Sequence, residues 1–290
     1  MDNIINQKIE RIDANLEKYL KIKYPEKIYE AIRYSVFAGG KRMRPLLLLS
    51  VCEALGGSEE KAMPFACALE MIHTYSLIHD DLPCMDDDDY RRGKLTNHKV
   101  YGEAMAVLAG DALLNLAYEI MSAACFENFS EKSIKAMFLI AKSAGVEGMV
   151  GGQVADVLSE TKNIGFDELM YIHSHKTAAI ISSAVMAGAV IADVSDADLL
   201  NLEEFAQLFG VAFQIKDDIL DVIGDSKLMG KPVGSDAKNN KVTYVTHIGL
   251  EKSKEDYNKM LDKAFCVLKD IVGEDGFLQD YVKALAKRDF

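Results

Sequence analysis

Within the fourteen residues HDDLPCMDDDDYRR (79–92) stand six aspartates and two arginines, directly after the apolar stretch EMIHTYSLI (70–78). A second acidic cluster, FQIKDDILD (213–221), holds Asp217, Asp218 and Asp221, with Gln214 just ahead of them. Asp217 and Asp221 are four apart, so on a helix both carboxylates project from one face, and Gln214 extends the stripe. Carboxylates at that spacing repel one another and are costly to desolvate, so one such cluster alone reads as the solvent-facing edge of an amphipathic helix. Two clusters, each attached to an apolar helix, suit a different chemistry: carboxylate pairs that face each other across a cavity and hold hard divalent cations. Mg²⁺ characteristically takes one or two protein carboxylates, several waters and phosphate oxygens.

The first cluster is irregular in spacing. Asp80 and Asp81 end a helix, and Asp86 follows after four residues that include Pro83. A straight helix cannot align Asp80 with Asp86, so the chain must bulge or unwind between them. His73 lies seven before Asp80, on the same helical face, and reads either as a site residue or as a hydrogen-bonded core histidine.

Basic residues answer the acids. Arg91 and Arg92 follow the first cluster, and Lys41, Arg42 and Arg44 sit in GGKRMRP (39–45), before an expected proline-started helix. HSHKT (173–177) precedes an apolar helix, and Lys231 and Lys241 flank the loop after the second cluster. Arginine offers a bidentate fork to phosphate and lysine a mobile point charge. Singly these are ordinary surface charges; as a set beside metal-binding acids they describe a site for one or two diphosphates. No EF-hand, HExxH, nucleophile elbow or phosphate-loop pattern is present.

The elements that must position these residues read as helices. No proline falls between Pro83 and Pro232, and no run alternates with period two. SEKSIKAMFLIAKSAG (130–145) and SDADLLNLEEFAQLFGVAFQIKDDILDVIG (195–224) carry helical starts and stops. The longest apolar run, AAIISSAVMAGAVIA (178–192), falls short of the roughly 20 residues a spanning helix needs, so it is expected in a core and no integral membrane segment is expected. Without a Gly-, Ser- or Pro-rich linker, residues 1–290 are expected to form a single all-α domain of ten or more helices.

Composition narrows the function. The net charge of -12 argues against nucleic acid. Five cysteines, never in CxxC spacing, fit neither a disulfide framework nor a zinc site but suit a reducing, cytoplasmic setting, and the charged N-terminus MDNIINQKIERID is no signal peptide.

At this point the chain resembles the trans-isoprenyl diphosphate synthases, the bacterial farnesyl diphosphate synthases among them. The resemblance runs through GGKRMRPLL (39–47), HDDLPCMDDDDYRRG (79–93), GGQVADV (151–157), HKT (175–177), FQIKDDILD (213–221), GKPVGSDAKNNKVTYV (230–245) and a tail ending KRDF. It implies an isoprenoid-synthase-type helical bundle around a central cavity, with the two aspartate motifs facing across its mouth. Asp80, Asp81, Asp86, Asp217 and Asp221 would then hold about three Mg²⁺ ions, which Mn²⁺ could replace, with Asp218 and Lys176 sharing in catalysis. Arg91, Lys176, Thr177, Gln214, Lys231 and Lys241 match positions for the allylic substrate, dimethylallyl or geranyl diphosphate. Lys41, Arg44, His73 and Arg92 match those for isopentenyl diphosphate. The working form implied is a homodimer.

Product length would be set beneath the first motif, at Tyr75 and Ser76. At about 1.5 Å per residue, Tyr75 lies roughly 7–8 Å along the axis from Asp80, of the order of one or two isoprene units. Ser76 falls nearer the Asp80 face, so the helical angle alone does not decide whether the Tyr75 ring blocks the tube or is simply core. By resemblance, an aromatic at position 75 favours a C15 product over C20. The rival readings are a geranylgeranyl or other short-chain synthase, a terpene cyclase, a non-catalytic partner subunit, and an acidic Ca²⁺-binding module.

Overall fold

In the computed structural model, which describes residues 1–160, 162, 164–223 and 242–288, the chain is almost wholly helical. It opens with α1 (Asp2–Tyr19), α2 (Glu26–Val36), α3 (Met43–Ala54) and α4 (Glu59–Asp80). A hairpin of two-residue strands, β1 (Tyr90–Arg91) and β2 (Lys94–Leu95), interrupts them before α5 (Asn97–Tyr101), α6 (Glu103–Glu127), α7 (Glu131–Ala144) and α8 (Met149–Ser159). Next come α9 (Phe166–Ile172), a π-helical turn (His173–Ala178), α10 (Ala179–Ala192) and α11 (Asp196–Ile223). The described chain closes with α12 (Tyr244–Ile248), α13 (Leu250–Val272) and α14 (Phe277–Ala286).

The expected starts are in place: Ser130 Oγ accepts from the Ser133 N–H and Ser195 Oγ from the Asp198 N–H, each at 3.1 Å, and α7 ends at Gly145. One start differs. Helix α3 begins at Met43, two residues before Pro45, because a proline within the first turn removes no intrahelical donor.

Helices α3, α4, α10 and α11 form the centre. Leu46, Leu47, Leu48 and Leu49 on α3 have no exposed surface, and each such burial contributes about 1.5–3 kcal/mol. Helix α4 packs on α3, α6 and α10, while α10 packs on α3, α7 and α11. The apolar run 178–192 continues the helical segments before it, so Phe166–Ala192 reaches 27 residues, long and apolar enough by length and composition to cross a bilayer. Its window is 61% buried in protein, the setting of a core helix; α6 passes the same test with 39% buried. The exposed Leu108 of α6 leaves part of its apolar surface uncovered by this chain.

Candidate active site

Helix α4 brings Asp80 into the lining of a cavity of about 440 Å³, and the chain then unwinds as the spacing requires. The Asp86 N–H donates to the Asp80 carbonyl at 2.9 Å, which folds Asp86 back toward Asp80, and Asp87 adopts a positive φ of 51°. The β1–β2 hairpin returns Arg91 to the helix end, where its Nε donates to Asp81 at 2.6 Å. Burial pushes the Asp81 carboxyl up to about 6 even with that partner. Asp80 is raised as well, by burial first and by the neighbouring Asp86 charge, while Lys176 opposes the shift. Carboxylates so placed ionise at a cost that a bound cation would relieve.

The second cluster stands on α11. Asp218 is buried and fully engaged: it accepts from the Tyr244 N–H at 2.7 Å and from Gln214 Nε2 at 3.0 Å, and His173 Nε2 lies 3.4 Å away. Gln214 in turn accepts from Thr177 Oγ1 at 2.8 Å, so a hydrogen-bonded chain ties α11 to the π-helical turn. Asp217 points elsewhere, to Arg288 at 2.6 Å, whose guanidinium also lies 3.2 Å from the Phe213 ring centroid. Asp221 is buried near the end of the same helix.

The π-helical turn carries His173, Lys176 and Thr177, and an insertion of this kind re-aims side chains at the cost of regular hydrogen bonding. It fits because α8 presents glycine there: a Cβ at Gly152 would stand 2.1 Å from the Lys176 backbone nitrogen. Helix α8 also supplies Asp156, which accepts from Lys176 Nζ. Lys176 and Thr177 line both the Asp80 cavity and a polar chamber of about 130 Å³ that contains Asp156, Gln214 and Asp218. One aspartate of each cluster, Asp80 and Asp218, therefore faces one shared wall. Burial drives His173 down to about 4, so it faces Asp218 as a neutral ring.

A third cavity, of about 660 Å³, holds the basic residues Lys41, Arg44, Arg92 and Arg288 and shares Arg44 and His73 with the first. Burial lowers Arg44 to about 10, and Arg92 and Arg288 add to the effect. Lys41 is lowered by burial and by Arg288, Arg92 by burial and by Arg42 and Arg91. The Arg44 Nε has no hydrogen-bond partner although buried. Cations held together against their own repulsion, with a donor unspent, form a cradle for a polyanion. His73 lies among them and is kept well below its usual value, by burial first and then by Arg44, Arg92, Arg91 and Arg42.

Among the described residues, no group of three or more His, Cys, Asp or Glu side chains closes round an ion by itself. The chain folds Asp86 back toward Asp80, a carboxylate pair of the kind Mg²⁺ takes with waters and phosphate oxygens, whereas on α11 Asp217 is held by Arg288 and Asp221 is buried four residues on.

The model of the polyprenyl synthetase family matches residues 25–272. The chain belongs to the polyprenyl synthetase family. A farnesyl diphosphate synthase of Geobacillus stearothermophilus is 48% identical over 88% of this synthetase and 86% of its own length. The large subunit 1 of a heterodimeric geranylgeranyl pyrophosphate synthase from Arabidopsis thaliana chloroplasts is also 48% identical, over 87% of this chain and 70% of its own. Among solved structures, a geranyltransferase of Helicobacter pylori complexed with magnesium and isoprenyl diphosphate superposes with a TM-score of 0.81. That match has 32% identity and covers 95% of this chain and 94% of the other. The synthetase thus has the isoprenoid-synthase helical fold and is a prenyltransferase.

Several of the residues singled out in the sequence line these cavities, whereas Asp81, Asp86, Arg91, Asp217 and Asp221 line none of the three. Asp80, His73, Arg44, Tyr75, Ser76, Lys176 and Thr177 line one cavity, and Lys41 and Arg92 line the adjoining one. Lys231 and Lys241 lie outside the described residues. Arg42, grouped by sequence with the basic set, is a buried strut instead. Its guanidinium binds Asp13 and Glu70, each at 2.8 Å, and the Val36 carbonyl at 2.7 Å. Removing one partner of such a buried pair costs about 3–5 kcal/mol. Sequence reasoning missed Asp156, Glu70 and Arg288. A signal was present for each: Asp156 is a carboxylate within the mostly apolar GGQVADV, Glu70 opens the apolar EMIHTYSLI, and Arg288 lies in the terminal KRDF; the partners of Glu70 and Arg288, 28 and 71 residues away, were not readable locally.

Proposed function

We propose that the synthetase joins isopentenyl diphosphate head-to-tail to dimethylallyl and then geranyl diphosphate, giving farnesyl diphosphate (C15) and inorganic diphosphate. The observation that carries this reading is the single wall, Lys176 and Thr177, that a cavity lined by Asp80 and a chamber lined by Asp218 share beside an apolar tube. Magnesium suits the carboxylate pair Asp80/Asp86 and, with Asp217 released from Arg288, the pair Asp217/Asp221, and the magnesium-bound Helicobacter pylori enzyme supports that choice. Bound Mg²⁺ supplies Lewis-acid stabilisation of the departing diphosphate.

Arg91 and Lys176 hold the allylic diphosphate beside the acids, with Lys176 aimed by Asp156. Lys41, Arg44 and Arg92 hold the second diphosphate, so the double bond of isopentenyl diphosphate lies close to the ionising carbon. Neutral His73, between the two cavities, can hydrogen-bond a substrate oxygen without adding to the crowd of cations. Walls such as Tyr75, Leu82 and Val107 keep water from the carbocation. The proton lost at the end goes to the released diphosphate, since the reaction needs no other base.

The C15 assignment rests on Tyr75, buried in the lining of the tube. Geranylgeranyl diphosphate (C20) is the second reading, favoured by the plant relative. A homodimer is the proposed working form, supported by exposed Leu108 on α6 and Leu158 on α8. The test is product sizing with excess isopentenyl diphosphate for wild type and Tyr75→Ala. A C15 limit that moves to C20 or beyond in the variant is expected. A Tyr75→Ala enzyme that still stops where the wild type stops puts the floor elsewhere.

A further inference from the structure

The tube beneath Asp80 is bounded by more than Tyr75. Tyr75 and His79 are one helical turn apart on α4 and both line the cavity. Their rings meet edge to face, with centroids 5.7 Å apart and planes at 81°. The imidazole is itself tethered: its Nε2–H donates to the Val107 carbonyl of α6 at 3.0 Å. It can lie there only because residue 110 is glycine, since a Cβ at that position would stand 2.0 Å from His79 Nε2. At this height α4 and α6 are therefore spaced by one imidazole ring, seated against bare backbone.

A phenol ring that turns about two side-chain bonds makes a soft stop if nothing fixes it. An edge contact to a tethered neighbour restricts it, because aromatic pairs favour a T-shaped arrangement. A sharp product limit needs such restriction: a supporting residue must lock the rotamer of the one that meets the chain.

We infer that His79 is a positioning residue for product length, tethered to Val107 and seated on Gly110 so that it braces Tyr75 as the floor of the tube. This rests on the synthase reading with Tyr75 at the floor, and adds to it a residue that touches the floor rather than the reacting atoms. The brace spans two helices, so it can be broken from either side. A residue on α6, outside the aspartate motifs, then bears on chain length.

The experiment compares wild type, His79→Ala, Gly110→Ala and the double variant. Product distributions are measured with excess isopentenyl diphosphate, and melting temperatures beside them. His79→Ala should raise the yield of the product one isoprene longer than the wild type's main product by about tenfold relative to that main product, the scale on which an apolar pocket discriminates by fit. Gly110→Ala should shift the distribution and lower the melting temperature. The double variant should recover melting temperature over Gly110→Ala, because the new methyl enters the space the imidazole leaves, and should match the products of His79→Ala.

A merely structural His79 would lower stability and leave the product ratio where it was. A wild type that elongates normally while His79→Ala keeps its product length overturns the brace alone. If His79→Ala does not fold, an unchanged product length in Gly110→Ala overturns it equally. A wild type that makes no prenyl diphosphate overturns the synthase reading and the brace together.

Discussion

Asp80 and His73 share one face of α4 and are perturbed in opposite senses. Burial and Asp86 make Asp80 harder to ionise, and burial with four nearby arginines makes His73 harder to protonate. Each shift relieves the like-charge crowding on its own side of the cavity: fewer negative charges among the acids, fewer positive among the bases. For His73 the consequence for stability has a definite sign. Its folded value lies below the unfolded value of about 6.5, so its contribution is fully present above pH 6.5 and is lost as pH falls from there toward the folded value. Denaturant melts of wild type and His73→Gln at pH 7 and pH 5 check this. The wild type should lose more stability between the two than the variant, and equal losses would mean that His73 is not held neutral.

At the scale of elements, the decisive contact is α8 against the π-helical turn. Gly152→Ala would press a methyl against the Lys176 backbone, displacing Lys176 and Thr177 together. Overpacking of this kind costs about 1–3 kcal/mol, so the melting temperature should fall and KM for the allylic substrate should rise by about tenfold. A Gly152→Ala variant with a normal allylic KM would show that the turn does not depend on this approach. The helices themselves were legible in the sequence, because their signals are local: Ser130 and Ser195 at the starts, Gly145 at a stop, and the 3.6-residue spacing of Gln214, Asp217 and Asp221 on α11. The break between Asp80 and Asp86 was legible for the same reason. The π-helical turn, the short hairpin behind Arg91 and the burial of Arg42 were not. Each depends on a partner brought in by the fold, such as Gly152 for Lys176, Asp81 for Arg91 and Glu70 for Arg42.

At the scale of the whole molecule, a chain of net charge -12 presents locally basic cavities to anionic substrates. The field that draws a diphosphate is therefore short in range and set by Lys41, Arg44 and Arg92 rather than by the protein as a whole. Asp80 lines the adjoining cavity, which shares Arg44 and His73 with the basic one. Two anions and their cations can thus meet over one apolar tube. The most direct measurement is condensation by the purified protein, with radiolabelled isopentenyl diphosphate, dimethylallyl or geranyl diphosphate and Mg²⁺, and products sized by chromatography after dephosphorylation. A C15 product that disappears with EDTA and returns with added Mg²⁺ is expected. Folded protein that makes no prenyl product from either primer, or makes it undiminished in EDTA, would contradict the synthase reading.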